Sequence, residues 1–197
     1  MLHKIDLSNF DKNFDGRSSY KDERFSKVLR TICLMKNPKK IVEFGILDGY
    51  SLDCFIESTE DDCEILAYDL FEEFPYNSAK FDSIEKKYDK TRASVNRGDL
   101  FDAHNIFENK SIDIIHIDIA NDGEVYEYCI KNLMPKIIDS GVMILEGGSS
   151  DRDNIEWMLK YNKPKIREVL CKYENESDEY GHITEDPQIR IKMMVDK

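Results

Sequence analysis

The sequence predicts an α/β protein: a doubly wound, mostly parallel sheet of seven strands with an antiparallel strand pair at its C-terminal edge. Three observations predict this. Short apolar runs bounded by turn residues recur along the chain, as buried parallel strands do. Segments of helical periodicity separate them, which implies right-handed crossovers between neighbouring strands. Beyond residue 150 the alternation gives way to two strand-like runs joined by a polar loop.

Taken in order, Phe25, Val28, Leu29 and Ile32 predict a helix over about residues 22–35, ended by Pro38. The runs KIVEF (40–44), EILAY (64–68), IDIIHI (112–117) and GVMIL (141–145) predict buried strands, and RASVNR (92–97) is a weaker fifth. Val125, Tyr128, Cys129, Leu133 and Ile137 form an apolar stripe that predicts a helix over 122–138, with Pro135 bending its end. After residue 150, Ser150 and Asp153 stand in capping positions for a further helix. IREVLCKY (from 166) and IRIKMMV (from 189), separated by a polar loop, then predict the antiparallel pair.

A chain of 197 residues, 41% apolar, predicts one domain over residues 1–197, with residues 1–21 a loosely ordered segment or a lid. No run is long enough to span a bilayer, and MLHKIDLSNF has no apolar stretch of the signal-peptide kind, so a cytoplasmic location is expected. The net charge of −12 repels phosphate backbones and anionic lipid, which argues against nucleic-acid and membrane partners. Five cysteines without paired spacing argue against disulfides and zinc. A small-molecule partner remains, and the sequence is compatible with a homo-oligomer.

The informative stretch is IVEFGILDGYS (41–51), where Gly45 and Gly49 follow a strand that ends in Glu43 and Phe44. In a doubly wound sheet ligands sit beyond the carboxyl ends of the strands, and the turn after the first strand is the usual cradle. Glycine permits positive φ and close backbone approach, and a helix starting near Tyr50 and Ser51 offers N–H groups to an anionic group. The spacing fails both G-x-G-x-x-G and G-x-x-x-x-G-K-[ST], so neither a dinucleotide nor a nucleotide-triphosphate cradle is met. YNSAK (76–80) has the Y-x-x-x-K pattern of short-chain dehydrogenases but follows the wrong strand for that chemistry.

With Glu43, Gly45 and Gly49 in the order acidic-x-Gly-x-x-x-Gly, the sequence resembles the class I S-adenosylmethionine-dependent methyltransferases, in particular a small O-methyltransferase-like subgroup. The resemblance covers roughly residues 25–160 and implies a Rossmann-like sheet. It also implies that Glu43, Gly45, Gly49, Ser51, Asp69, Asp99 and Asp118 surround the cofactor, with Asp69 on the ribose hydroxyls and Asp99 near the adenine amino group. DIIHIDIANDGEVY corresponds to the family's fourth motif, ending at Asp118.

Relatives that methylate hydroxyls often place carboxylates after the fourth and fifth strands around magnesium. Here those positions read Asp118 and Glu146, with Gly147 in place of a further ligand, so magnesium stays open beside a plain backbone-bonding role for Glu146. Asn121 stands where relatives often carry histidine, which leaves Asp118, Asp122 and His182 as the candidate catalytic groups. His182 lies in a turn that either closes over the site as a lid carrying a base or stays a solvated acidic loop, the reading its six carboxylates favour, whereas His116 reads as a core residue and His104 as solvated. The loop EGGSSDRD, with Arg152, is a candidate acceptor contact. The resulting expectation is methyl transfer to a hydroxyl of a small molecule, such as a sugar or polysaccharide precursor. A non-catalytic cofactor-binding module and a nicotinamide-dependent reductase remain as alternatives.

Overall fold

The computed structural model describes residues 14–18, 20, 25–75, 77–148, 151–174 and 189–193. The chain divides into two compact units, Met1–Gly98 and Asp99–Lys197.

The first unit is a parallel sheet with helical crossovers. Helix α1 (Ser26–Lys36) leads into β1 (Lys40–Phe44), α2 (Tyr50–Ser58), β2 (Glu64–Asp69), α3 (Phe81–Tyr88) and β3 (Ala93–Arg97). Asn37 in the left-handed conformation ends α1 one residue before Pro38. Strand β2 is central, pairing in parallel with β1 (Lys40↔Glu64 to Phe44↔Tyr68) and with β3 (Ile65↔Ala93 to Asp69↔Arg97). These pairings bring the carboxyl ends of all three strands to one edge. Ile41, Val42 and Phe44 of β1, Ile65 and Ala67 of β2, and Leu52 and Phe55 of α2 are all buried, so the apolar runs are sandwiched as a parallel sheet requires.

The second unit begins with a short 3₁₀ segment (Leu100–Asn105), followed by β4 (Ile112–Ile117), α4 (Gly123–Tyr128) and β5 (Ile137–Glu146). Strands β4 and β5 are parallel, with a shift between Ile112 and Ile114 near Gly141. A side chain at Gly141 would collide with Ile137 and with the Asp113 carbonyl, so glycine is what lets the shifted strands meet. The helix expected over 122–138 is regular only to Tyr128. It widens into a π segment at Cys129–Leu133 and closes as 3₁₀ at Met134–Lys136, and the strand takes over at Ile137.

The C-terminal part corrects the expectation. IREVLCKY is not a strand; it lies in helix α6 (Ile166–Glu174), reached through a 3₁₀ segment (Arg152–Asn154) and α5 (Glu156–Lys160). Two features decide this. Ile166 and Leu170 are buried one helical turn apart, and the Asp153 carboxylate accepts the Ile166 and Arg167 N–H groups (2.7 and 3.1 Å), capping α6 from 13 residues upstream. Strand β6 (Ile189–Met193) runs antiparallel to β5 itself, starting opposite Glu146. Among the described residues there are thus five strands paired in parallel and one antiparallel strand, rather than seven strands with a separate C-terminal pair. No helix among the described residues is long and apolar enough to cross a membrane.

Candidate active site

The glycine turn of the first unit is held by main chain and carboxylates. Gly45 (φ 96°), Leu47 (φ 49°) and Gly49 (φ 87°) all take positive φ, turning the chain sharply between β1 and α2. The Gly45 N–H bonds the Tyr68 carbonyl (2.9 Å) and the Gly49 N–H bonds the Ile46 carbonyl (2.8 Å). Position 49 must be glycine for a second reason: a Cβ there would lie 1.9 Å from the Tyr88 hydroxyl. That hydroxyl donates to the Gly49 carbonyl (3.1 Å) and to Asp53 (2.7 Å), and burial together with the Asp53 charge raises its pKa far above the ordinary phenol value.

The acids named by the sequence sit around this turn. Glu43 is fully buried and accepts a hydrogen bond from the Ser51 hydroxyl, so these two predicted cofactor residues contact each other. Asp69 ends β2 and is almost fully buried. Its Oδ2 accepts the Ile46 and Leu47 N–H groups (2.7 and 3.3 Å), and its Oδ1 accepts the Phe71 N–H (2.7 Å) and Asn77 Nδ2 (2.8 Å). The acid expected on a ribose therefore also braces the turn that would receive the cofactor. Sequence reasoning missed Asp48, which stands inside the turn and accepts a two-pronged ion pair from Arg17 (2.6 and 2.7 Å). Arg17 belongs to the N-terminal segment, where Phe14 and Tyr20 are buried, and Phe14 packs edge-on against Tyr50.

In the second unit, Asp99 accepts the Phe101 N–H (3.0 Å) and caps the 3₁₀ segment that follows. His104 Nδ1 lies 2.9 Å from the Tyr128 hydroxyl, so it has a protein partner rather than water alone. His116 is fully buried in β4. Asp118 is half-buried just past β4 and Glu146 ends β5, and the Ile117↔Leu145 register puts the two acids at neighbouring strand ends.

Burial pushes the Glu146 carboxyl up to about 7, and the Asp118 charge adds to the rise. Arg152, 3.8 Å away, and His116 pull the other way without reversing it. Asn121 is fully buried between the same strand ends. Its Nδ2 donates to the Ile117 and Glu146 carbonyls (3.2 and 2.8 Å), and its Oδ1 has no partner among the described residues. The Tyr126 hydroxyl adds a second bond to the Glu146 carbonyl (3.0 Å). Gly147 then turns at φ 92° against the Arg152 side chain. Asp122 has both oxygens occupied: one caps α4 through the Val125 N–H (3.0 Å) and the other pairs with Lys163 (2.9 Å). His182 lies outside the described residues.

A magnesium ion seeks six oxygen ligands in near-octahedral array. The Arg152 guanidinium lies 3.8 Å from Glu146, and Gly147 supplies no side-chain ligand. Among the described residues no group of three or more His, Cys, Asp or Glu side chains could hold a metal. Magnesium therefore has no support among the described residues. The first unit does fit a nucleoside cofactor, because it combines a positive-φ turn at a strand's carboxyl end, the start of α2 and an acid at the end of the next strand.

Comparison with known proteins agrees with this reading. The methyltransferase-domain family profile matches residues 42–146, more than half of the chain, and the chain belongs to that family. Solved structures share its fold. An O-methyltransferase from Bacillus cereus, in complex with S-adenosylhomocysteine, superposes with a TM-score of 0.61 at 15% identity, covering 98% of this chain and 93% of that one. Streptomyces achromogenes TomG, an O-methyltransferase of tomaymycin synthesis in complex with S-adenosylmethionine, gives 0.64 at 15% identity over 100% and 93%. The S-adenosylhomocysteine-bound Podospora anserina methyltransferase PaMTH1 gives 0.63 at 16% identity over 96% and 86%. No curated protein matches the sequence.

Proposed function

We propose that the chain is an S-adenosylmethionine-dependent methyltransferase that modifies a hydroxyl of a small molecule, with a sugar or polysaccharide precursor as the preferred acceptor class. The observation that carries this is the Gly45–Gly49 turn with Asp69 beneath it, in a chain matched by the methyltransferase-domain profile. The matched residues run across the boundary between the two units, which supports reading the chain as one domain. The fold shared with O-methyltransferases supports oxygen as the acceptor atom.

In this reading the carboxyl ends of β1 and β2 hold the cofactor, with Asp69 facing the ribose diol. The carboxyl ends of β4 and β5 receive the acceptor. The bound cofactor would supply an electrophilic methyl group, its sulfur–carbon bond breaking to leave S-adenosylhomocysteine. The chain positions the acceptor oxygen, keeps water away and takes the proton that the hydroxyl releases as its oxygen–carbon bond forms. Glu146 is suited to that last task, because a carboxyl titrating near 7 is partly ionised at neutral pH yet basic enough to accept a proton. Asp118 keeps its place as the neighbouring acid, and the occupied oxygens of Asp122 favour a structural role for it. Incubation with methyl-labelled cofactor and a panel of hydroxylated sugars tests this reading. Label transfer that Glu146→Gln lowers about 100-fold or more supports it, and a chain that binds cofactor but transfers to no acceptor supports the binding-module alternative.

A further inference from the structure

Asp69 offers about four acceptor positions, and the chain fills four. Three donors are main-chain groups, the N–H groups of Ile46, Leu47 and Phe71. They sit in turns set by positive φ at Gly45, Leu47 and Phe71 (96°, 49° and 50°), so releasing them means rebuilding backbone. The fourth donor, Asn77 Nδ2 at 2.8 Å, is the tip of a side chain. Rotation of that side chain alone would free an acceptor position on Asp69.

Asn77 is nonetheless held in place. Its Oδ1 accepts the Ala79 N–H (2.9 Å), which fixes which end of the amide faces Asp69. The next residue, Ser78, accepts a hydrogen bond from Arg17 Nη1, and the rest of the Arg17 guanidinium forks onto Asp48 within the glycine turn (2.6 and 2.7 Å). Arg17 holds the Asp48 carboxyl below its ordinary value, so this anchor stays ionised through neutral pH. Residues 77–79 are strapped to the glycine turn on one side by Arg17 and on the other by Asp69.

We propose that Asn77 is a built-in competitor at the cofactor site: its amide occupies the position on Asp69 that a ribose diol takes, and the cofactor enters by displacing it. The inference rests on the cofactor reading given above. A ligand with vicinal hydroxyls replaces the lost bond with its own, whereas a nucleoside without them leaves Asn77 in place and gains nothing at Asp69. The strapped Asn77 thus lowers the affinity that a ribose diol gains at Asp69 by the cost of its own displacement.

The test is calorimetric titration of the full chain, wild type and Asn77→Ser, with S-adenosylhomocysteine and with its 2′,3′-dideoxyribose analogue. Serine can still accept the Ala79 N–H but is too short to reach Asp69, and melting without ligand checks that the variant is folded. The expected result is S-adenosylhomocysteine binding about three- to tenfold tighter in the variant, with the analogue unchanged. Equal shifts for both ligands, or no gain for S-adenosylhomocysteine, would overturn the proposal and leave Asn77 a turn former. Wild-type protein that binds neither ligand would remove the cofactor reading itself, and this outcome is distinct because in the other two wild type binds S-adenosylhomocysteine.

Discussion

The carboxyl edge of the first unit and that of the second solve different problems. Around Gly45–Gly49 nearly every polar group is tied to another: Asp69 to three backbone N–H groups and Asn77, Asp48 to Arg17, and Ser51 to Glu43. At the ends of β4 and β5, by contrast, a buried carboxyl titrates near 7 beside another acid, and a buried amide oxygen lacks a partner among the described residues. The first arrangement fixes shape in advance of binding. The second stores unfavourable electrostatics, as sites that move protons do.

The largest effect that would break this contrast is expected at Gly49. Gly49→Ala combines positive-φ strain with a clash against the Tyr88 hydroxyl and should cost about 3 kcal/mol or more in urea unfolding. Adding Tyr88→Phe should recover part of that loss. A substitution tolerated within 1 kcal/mol, by the same measurement and about the smallest value that overpacking gives, would mean that the turn is not preset.

Next in size is Glu146. Its folded pKa of about 7 lies above the ordinary 4.5, so the native state holds a proton that the unfolded chain has given up. Its favourable contribution is complete below about pH 4.5 and is lost as pH rises through 7. Stability should therefore fall across this window by an amount on the order of 2–3 kcal/mol, and Glu146→Gln should flatten the curve. An unchanged pH profile in the variant would place the titration elsewhere.

How much of this could be read from the sequence follows the same divide. Strands β1, β2 and β4 announce themselves as apolar runs, and Gly45 and Gly49 mark the turn, because both signals are local, whereas the positive φ at Leu47 and Phe71 has no such signal. Helix α6 was misread although Ile166, Val169, Leu170 and Tyr173 carry helical spacing. Its β-branched and aromatic residues also suit a strand, and the deciding cap comes from Asp153, distant in sequence. Arg17 on Asp48, 31 residues away, left no local trace either, and Lys163 on Asp122 is equally invisible before folding. The raised pKa of Glu146 depends on burial and on Asp118, which spacing does not reveal.

A smaller effect is expected at Asn121. Asn121→Ala removes both Nδ2 bonds but leaves the Tyr126 hydroxyl on the Glu146 carbonyl, so the expected loss is about 1–2 kcal/mol of stability with a larger drop in turnover. Equal losses in both would assign Asn121 to packing alone. Arg17→Ala should be smallest in stability, moving the melting temperature by no more than about 2 °C, since the exposed ion pair contributes little to folding. A larger shift would mean that the Arg17 fork supports folding as well as strapping residues 77–79 to the glycine turn.

The most direct test of the central claim is calorimetric titration of S-adenosylhomocysteine into the folded wild-type chain. Micromolar binding without added metal is the expected result. A folded chain that shows no binding at millimolar ligand would contradict it and assign the glycine turn to a different molecule.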